Sequence, residues 1–399
     1  MSVALARRVG LTGNDAVALA WKQIHPDVVA AYPITPSTQV VEKFSQYVAD
    51  GVVQTQFVPV ESEHSALSAC VGAAVSGARV MTATSSQGLA LMHEILYIAA
   101  GLRLPIVMAV ANRALSAPIN IHGDHSDAMG SRDSGWLQFY AKDVQEAYDL
   151  TILAVRVAER ARLPVMVGLD GFTLSHSLEV VDVYSDEAVR AFVGPGPEDH
   201  YHFLDGPEPV TVGPLALPDS YMDFRRALAE AVARSAEIIA QEIRAFREHF
   251  GRALPAFVEP VALDGARAAV VMMGSYAGLL EEAVQRWRQA GRQVGLVRVV
   301  TFRPFPSQAL RTALAGVRHV VVMERADTLS TLGGPLGVEL RAALYGTERP
   351  PVVSDVIFGL GGREVREEEL EQVGRLLEAP AGGVWYLGTG DDLPGEGGP

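Results

Sequence analysis

Short, continuous apolar runs alternate with stretches whose apolar residues recur at helical spacing through about the first 180 residues of the chain. Val28–Tyr32, Gln56–Val60, Arg79–Thr84, Pro105–Ala111 and Pro164–Asp170 read as buried strands that end in small or polar residues. Between them, Ser37–Ala49, Glu63–Ser76, Gly88–Ala100 and Val144–Arg160 read as helices. This alternation predicts an α/β fold with a parallel sheet covered on both faces. Ligands of such sheets sit beyond the carboxyl ends of the strands. Three polar segments fall at those ends: Pro33–Thr38, Ser85–Gly88 and Asn112–Asp127.

A connector dense in Gly and Pro spans roughly 194–220, and a long amphipathic helix follows. Tyr221, Phe224, Leu228, Val232, Ile239, Ile243, Phe246 and Phe250 share one face, which reads as packing against another domain or subunit. A second α/β unit begins near Ala266. Val270–Met273, Val294–Val299, His319–Glu324 and Val352–Ile357 are its expected strands, with a helix through Gln289. The expected division is 1–258 for the first domain with connector and long helix, 259–380 for the second, and a flexible tail over 381–399.

Composition narrows the function. A chain of 399 residues exceeds one ordinary domain, and 49% hydrophobic with 20% charged residues fits a globular protein. A net charge of −14 without a basic stripe argues against a nucleic-acid partner. Cys70 is the single cysteine, so this chain alone can form no internal disulfide and hold no four-cysteine iron–sulfur cluster. No run of about 20 apolar residues suggests a membrane span. The N-terminus lacks an apolar core followed by a cleavage site, and the expected location is the cytoplasm.

Pro33 and Pro36 stiffen the turn around Thr35, and Ser37 or Thr38 can cap the helix that follows. Ser85-Ser86-Gln87-Gly88 before a helix has the form of an anion cradle, yet lacks the lysine of a phosphate-binding loop. Arg113 follows a strand at a sheet end. Its fork suits a carboxylate ligand, and a structural pair with Asp124 or Asp127 explains it equally well. His122, Asp124 and His125, with Glu61, Glu63 and His64, could suggest a metal site or a metal-dependent hydrolase. A substrate-pocket loop is the better reading, because such spacings recur by chance in a chain with ten histidines. Glu63 at a helix start is explained by the helix dipole alone, and Glu61 is its obvious competitor.

Several motifs in order carry a resemblance over about residues 15–375: YPITPS from Tyr32, VPVESEHSALSACVGAA from Val58, TATSSQGLALMHEILYIA from Thr82, ANRALSAPINIHGDHSD from Ala111 and LDGFTLSH from Leu169. TFRPFP from Thr301, Glu324–Ala326 and FGLGGREV from Phe358 extend it into the second unit. The chain resembles the alpha-type subunits of the 2-oxoacid:ferredoxin oxidoreductases, thiamine-diphosphate enzymes, most closely those acting on pyruvate. The resemblance implies a pyrimidine-binding domain followed by a transketolase C-terminal-like α/β domain. It assigns Glu63 to the cofactor's aminopyrimidine, where a carboxyl in an apolar pocket exchanges the activating proton. It also implies that Tyr32, Pro33, Ser86 and Gln87 line the thiamine pocket, that Arg113 and Thr35 meet the substrate carboxylate, and that Asn120 and His122 lie near the reacting centre.

The second thiamine motif, GDG followed by Asn, is absent: Leu169 and Leu204 open LDG, and Gly123 opens GDH. The resemblance therefore implies half a site. A beta subunit supplies the diphosphate and Mg²⁺ motif, and [4Fe-4S] clusters sit on partner chains together with gamma and ferredoxin-like delta subunits. The expected reaction converts pyruvate, coenzyme A and oxidised ferredoxin into acetyl-CoA, CO₂ and reduced ferredoxin, reversibly as a pyruvate synthase. Alternatives are a sister enzyme for a branched-chain, aryl or 2-oxoglutarate substrate, and a non-catalytic scaffold.

Overall fold

The computed structural model describes residues 5–196, 210–379 and 381–390. Part of the expected connector, 197–209, and the chain end from 391 lie outside them.

The first unit is built on a seven-stranded sheet. Its order is Thr301–Arg303, Leu137–Tyr140, Val165–Asp170, Ile106–Asn112, Val80–Thr84, Val28–Ala31 and Gln56–Pro59. All neighbours are parallel except Thr301–Arg303, which runs antiparallel to Leu137–Tyr140. The three central strands Val80–Thr84, Ile106–Asn112 and Val165–Asp170 are buried at every position, which is why the sequence shows them as continuous apolar runs. From Val28–Ala31 the chain first adds Gln56–Pro59 on one side and then Val80–Thr84 on the other. That reversal opens a crevice between the ends of Val28–Ala31 and Val80–Thr84.

Helix starts are written locally. Ser62 caps Glu63–Val75 by accepting the Ser65 N–H, and Asp143 caps Val144–Ala161 by accepting that of Glu146. The helix expected over Gly88–Ala100 is two, Ser86–Leu91 and His93–Gly101. Glycine places its first turn: a Cβ on Gly88 would lie 2.4 Å from Thr84 Oγ1 and 2.7 Å from Glu63 Oε1.

The second unit has a six-stranded sheet ordered Gly383–Tyr386, Val352–Ile357, His319–Glu324, Ala268–Met273, Val294–Val299 and Val258–Val261. Only Val258–Val261 is antiparallel to its neighbour. Gly383–Tyr386 corrects the expectation of a tail from 381, because it extends the sheet beside Val352–Ile357 and buries Leu387 behind it. Thr301–Arg303 is a second departure, since it leaves its own unit to complete the first sheet.

Tyr221–Phe250 forms the long helix. Leu228, Ile239, Ile243, Phe246 and Phe250 are buried, whereas Tyr221 and Phe224 at its start are more than half exposed. No helix among the described residues is long and apolar enough to cross a membrane.

Candidate active site at the sheet reversal

Two carboxylates compete for one role, and burial separates them. Glu61 is exposed and accepts a hydrogen bond from the Ser65 hydroxyl, which holds its carboxyl below the usual range. Glu63 is 7% exposed, packs against Gly88, and takes no hydrogen-bond donor among the described residues. A largely buried carboxylate without a protein donor is left open to a ligand that completes it. The hydroxyls of Thr84 and Ser85, at the adjoining strand end, are buried and have no partner among the described residues. Together these groups fit a ligand that brings its own donors, as an aminopyrimidine does.

The next strand end presents Arg113. Its Nε donates to the Asn120 carbonyl at 2.8 Å and its Nη1 to the Thr35 carbonyl at 2.9 Å. Neither Asp124 nor Asp127 receives the guanidinium, so the structural ion pair considered from spacing is not formed. Asp127 instead accepts the backbone N–H of Arg113. Burial lowers the guanidinium's pKa, and Asp127 opposes that. Nη2 has no partner among the described residues, which leaves N–H groups for an incoming carboxylate.

Thr35 is exposed at the turn after Val28–Ala31, as are Tyr32 and Pro33. Asn14, buried at the start of the helix Gly13–Ile24, holds this turn through a 2.8 Å bond from Nδ2 to the Pro36 carbonyl. Ser86 sits in the left-handed region at φ 46°. Its hydroxyl meets the Ala114 carbonyl and, at 2.6 Å, Gln87 Oε1.

Asp127 ties the two halves of the site together, a role sequence reasoning missed. Its Oδ2 accepts the backbone N–H groups of Ser86 and Arg113, both at 2.9 Å. Its Oδ1 accepts Asn112 Nδ2 at 2.9 Å and the Ala128 N–H at 2.7 Å. Burial pushes its carboxyl up to about 6 despite these four donors. The acidic residue in the ANR…HSD stretch was the available signal, but nothing local announces four converging donors.

The rest of the loop faces the second unit. Asn120 receives the His122 N–H at 2.7 Å and donates to the Gly361 carbonyl at 3.0 Å. Asp124 accepts the Gly361 N–H, and His125 meets Asp170 at 2.6 Å. Burial would raise the Asp170 carboxyl, but Arg325, His125 and Ser275 outweigh it and hold it far below the carboxylate range. His122 is exposed and packs against Phe172. These side chains point to separate partners, and among the described residues no group of three or more His, Cys, Asp or Glu side chains could hold a metal.

Residues 19–244 match the family model for pyruvate flavodoxin/ferredoxin oxidoreductase, thiamine diphosphate-binding. The chain belongs to the pyruvate flavodoxin/ferredoxin oxidoreductase family. Residues 266–370 match the model for pyruvate:ferredoxin oxidoreductase core domain II. Among its oxidoreductase relatives, pyruvate synthase subunit PorA of Thermotoga maritima is 51% identical over 370 residues, 92% of this chain and 94% of the relative. Ketoisovalerate oxidoreductase subunit VorA of Pyrococcus abyssi is 42% identical and covers 91% of each chain. The solved 2-oxoglutarate:ferredoxin oxidoreductase of Magnetococcus marinus shares the family's fold, with TM-score 0.69 and 22% identity over 92% of this chain and 65% of that one.

Proposed function

We propose that the chain is the alpha subunit of a pyruvate:ferredoxin oxidoreductase, contributing the pyrimidine half of a thiamine-diphosphate site. The carrying observation is the buried, donor-free Glu63 beside Gly88, at the same sheet edge as the carboxylate-free guanidinium of Arg113. Thiamine diphosphate, when bound, supplies the carbon nucleophile and electron sink that cleavage of a 2-oxoacid requires. Glu63 holds the proton exchanged with the aminopyrimidine. Arg113 binds the substrate carboxylate through its free N–H groups, and Thr35, whose carbonyl aims the guanidinium, donates its hydroxyl to the substrate oxygens. Tyr32, Pro33, Ser86 and Gln87 line the cofactor.

The higher identity to a pyruvate synthase subunit than to a ketoisovalerate chain supports pyruvate as substrate, with coenzyme A and ferredoxin as co-substrates. The missing GDG motif and the single cysteine support a beta subunit that carries Mg²⁺ and the diphosphate. The single cysteine also supports [4Fe-4S] clusters on partner chains; the family resemblance adds a gamma subunit and a ferredoxin-like delta subunit, with assembly in the cytoplasm.

Glu63→Gln keeps the shape and removes the proton. Turnover of pyruvate by the assembled enzyme should fall by about 10²–10⁴, while Glu61→Gln, at an exposed position, should leave it nearly intact. Steady-state ferredoxin reduction reads both. Equal losses at the two positions would refute the assignment.

A further inference from the structure

Arg113 is oriented without a carboxylate. Two carbonyls aim it, and one of them, that of Asn120, belongs to a loop whose preceding residues 116–119 are exposed. Such a loop needs an external anchor if it is to hold a guanidinium within the tolerance that substrate binding demands. The anchor comes from the other unit. The turn Gly359-Leu360-Gly361-Gly362 follows the strand Val352–Ile357, and its three glycines have φ of +61°, +61° and +79°. Glycine is required there for more than the backbone angle. A Cβ on Gly361 would lie 2.3 Å from Asn120 Nδ2, and one on Gly362 would lie 2.4 Å from His122 Cβ. The close approach lets the Gly361 carbonyl accept Asn120 Nδ2 and its N–H reach Asp124 Oδ2, both at 3.0 Å. Arg325 closes the back of the turn by donating to the carbonyls of Gly123 and Gly359.

We infer that the Gly359–Gly362 turn of the second unit positions the substrate arginine, with Asn120 as the coupling residue between Gly361 and Arg113. Asn120 is then a positioning residue that acts through Arg113, and its amide is engaged by protein rather than substrate. This rests on the reading that Arg113 binds the 2-oxoacid carboxylate. It gives the second unit a part in substrate recognition although the sheet reversal lies wholly in the first.

The test is a set of variants in the assembled enzyme: Arg113→Ala, Asn120→Ala, Gly361→Ala and the pairs Arg113→Ala/Asn120→Ala and Arg113→Ala/Gly361→Ala. Kinetics with pyruvate, thiamine diphosphate affinity and melting temperature are measured for each. Asn120→Ala and Gly361→Ala, from opposite sides of the seam, should each lower kcat/KM for pyruvate about ten- to a hundredfold, mainly through KM. Cofactor affinity should stay unchanged, and neither substitution should add a loss once Arg113 is alanine. If Gly361→Ala fails to fold, Asn120→Ala, at a partly exposed position, still decides the matter. An Asn120→Ala loss that persists in full beside Arg113→Ala would mean that Asn120 meets the substrate itself, and would overturn the inference. Unaltered kinetics in Asn120→Ala would reduce the turn to domain packing. An unchanged KM in Arg113→Ala would instead sink the underlying reading of the arginine and the inference with it.

Discussion

Asp127 shows how one buried side chain can fix two others at the proposed site. Its carboxylate fixes the backbone of Ser86 on one strand end and of Arg113 on the next. With its carboxyl raised to about 6 by burial, it takes up a proton as the pH falls through that value and becomes a weaker acceptor for both N–H groups. The sign matters: a raised pKa means the folded chain gains the proton before the unfolded one, so acid does not unfold the protein on this account. Activity should therefore fall below about pH 6 while the melting temperature does not fall with it. Asp127→Asn can keep its oxygen toward Ser86 and Arg113, at the cost of the bond from the Ala128 N–H, which then faces the amide nitrogen. Asn112, whose Oδ1 is buried with no partner among the described residues, can turn that oxygen toward the new amide nitrogen. The variant should fold, lose some activity and lack the acid limb. A pH–rate profile of the assembled enzyme checks this, and an unaltered limb in the variant would place its origin elsewhere.

At the scale of elements, a carboxylate pair marks the start of the helix Pro335–Leu344. Glu324 accepts the N–H groups of Leu336 and Gly337, and Asp355 accepts that of Gly334. Burial first, and mutual repulsion second, push the Glu324 carboxyl well above its usual value; burial raises Asp355 as well. The pair is content with a shared proton and is strained without it, so its contribution to stability is lost as pH rises. The enzyme's melting temperature should drop as the pH rises above the usual carboxylate range, and Asp355→Asn, which supplies the missing donor, should flatten that slope. An equal slope in the variant would clear the pair of responsibility.

Such pairings are invisible in one dimension, whereas Val294–Val299 and His319–Glu324 could be read directly because each is buried at every position and mostly apolar between turns. Leu137–Tyr140 was illegible: it is four residues long, contains Gln138, and is buried by packing alone. The antiparallel ribbon of Leu5–Thr12 with Leu178–Tyr184 escaped for a related reason, since Leu178 and Val180 are exposed and break the apolar pattern. In the site, position along the chain put Glu63, Ser86 and Arg113 at sheet ends. It could not rank Glu63 over Glu61; the motif resemblance chose Glu63, and burial supports that choice.

For the whole molecule, the two units are joined by charge as well as by strands. Arg298, fully buried in the second sheet, makes paired bonds of 2.9 and 2.7 Å to Glu146 of the first unit and one of 2.7 Å to Glu259. Removing one member of a buried pair strands the other and costs about 3–5 kcal/mol. Arg298→Ala should accordingly lower the melting temperature sharply. Arg8→Ala, which breaks an exposed pair with Asp182, should move it little, because exposed pairs contribute about 0–1 kcal/mol. Calorimetric scans of both variants check the contrast. The strand Thr301–Arg303 has a consequence in time rather than energy. Ribosomes work from the N-terminus, so the first sheet emerges with Leu137–Tyr140 as a bare edge. That edge waits for residue 303 while more than a hundred further residues are added. At ordinary elongation rates the wait is on the order of ten seconds. Throughout it the nascent chain carries an open row of backbone donors and acceptors that any stray strand could join, so the moment of greatest hazard for this protein falls before its synthesis is complete.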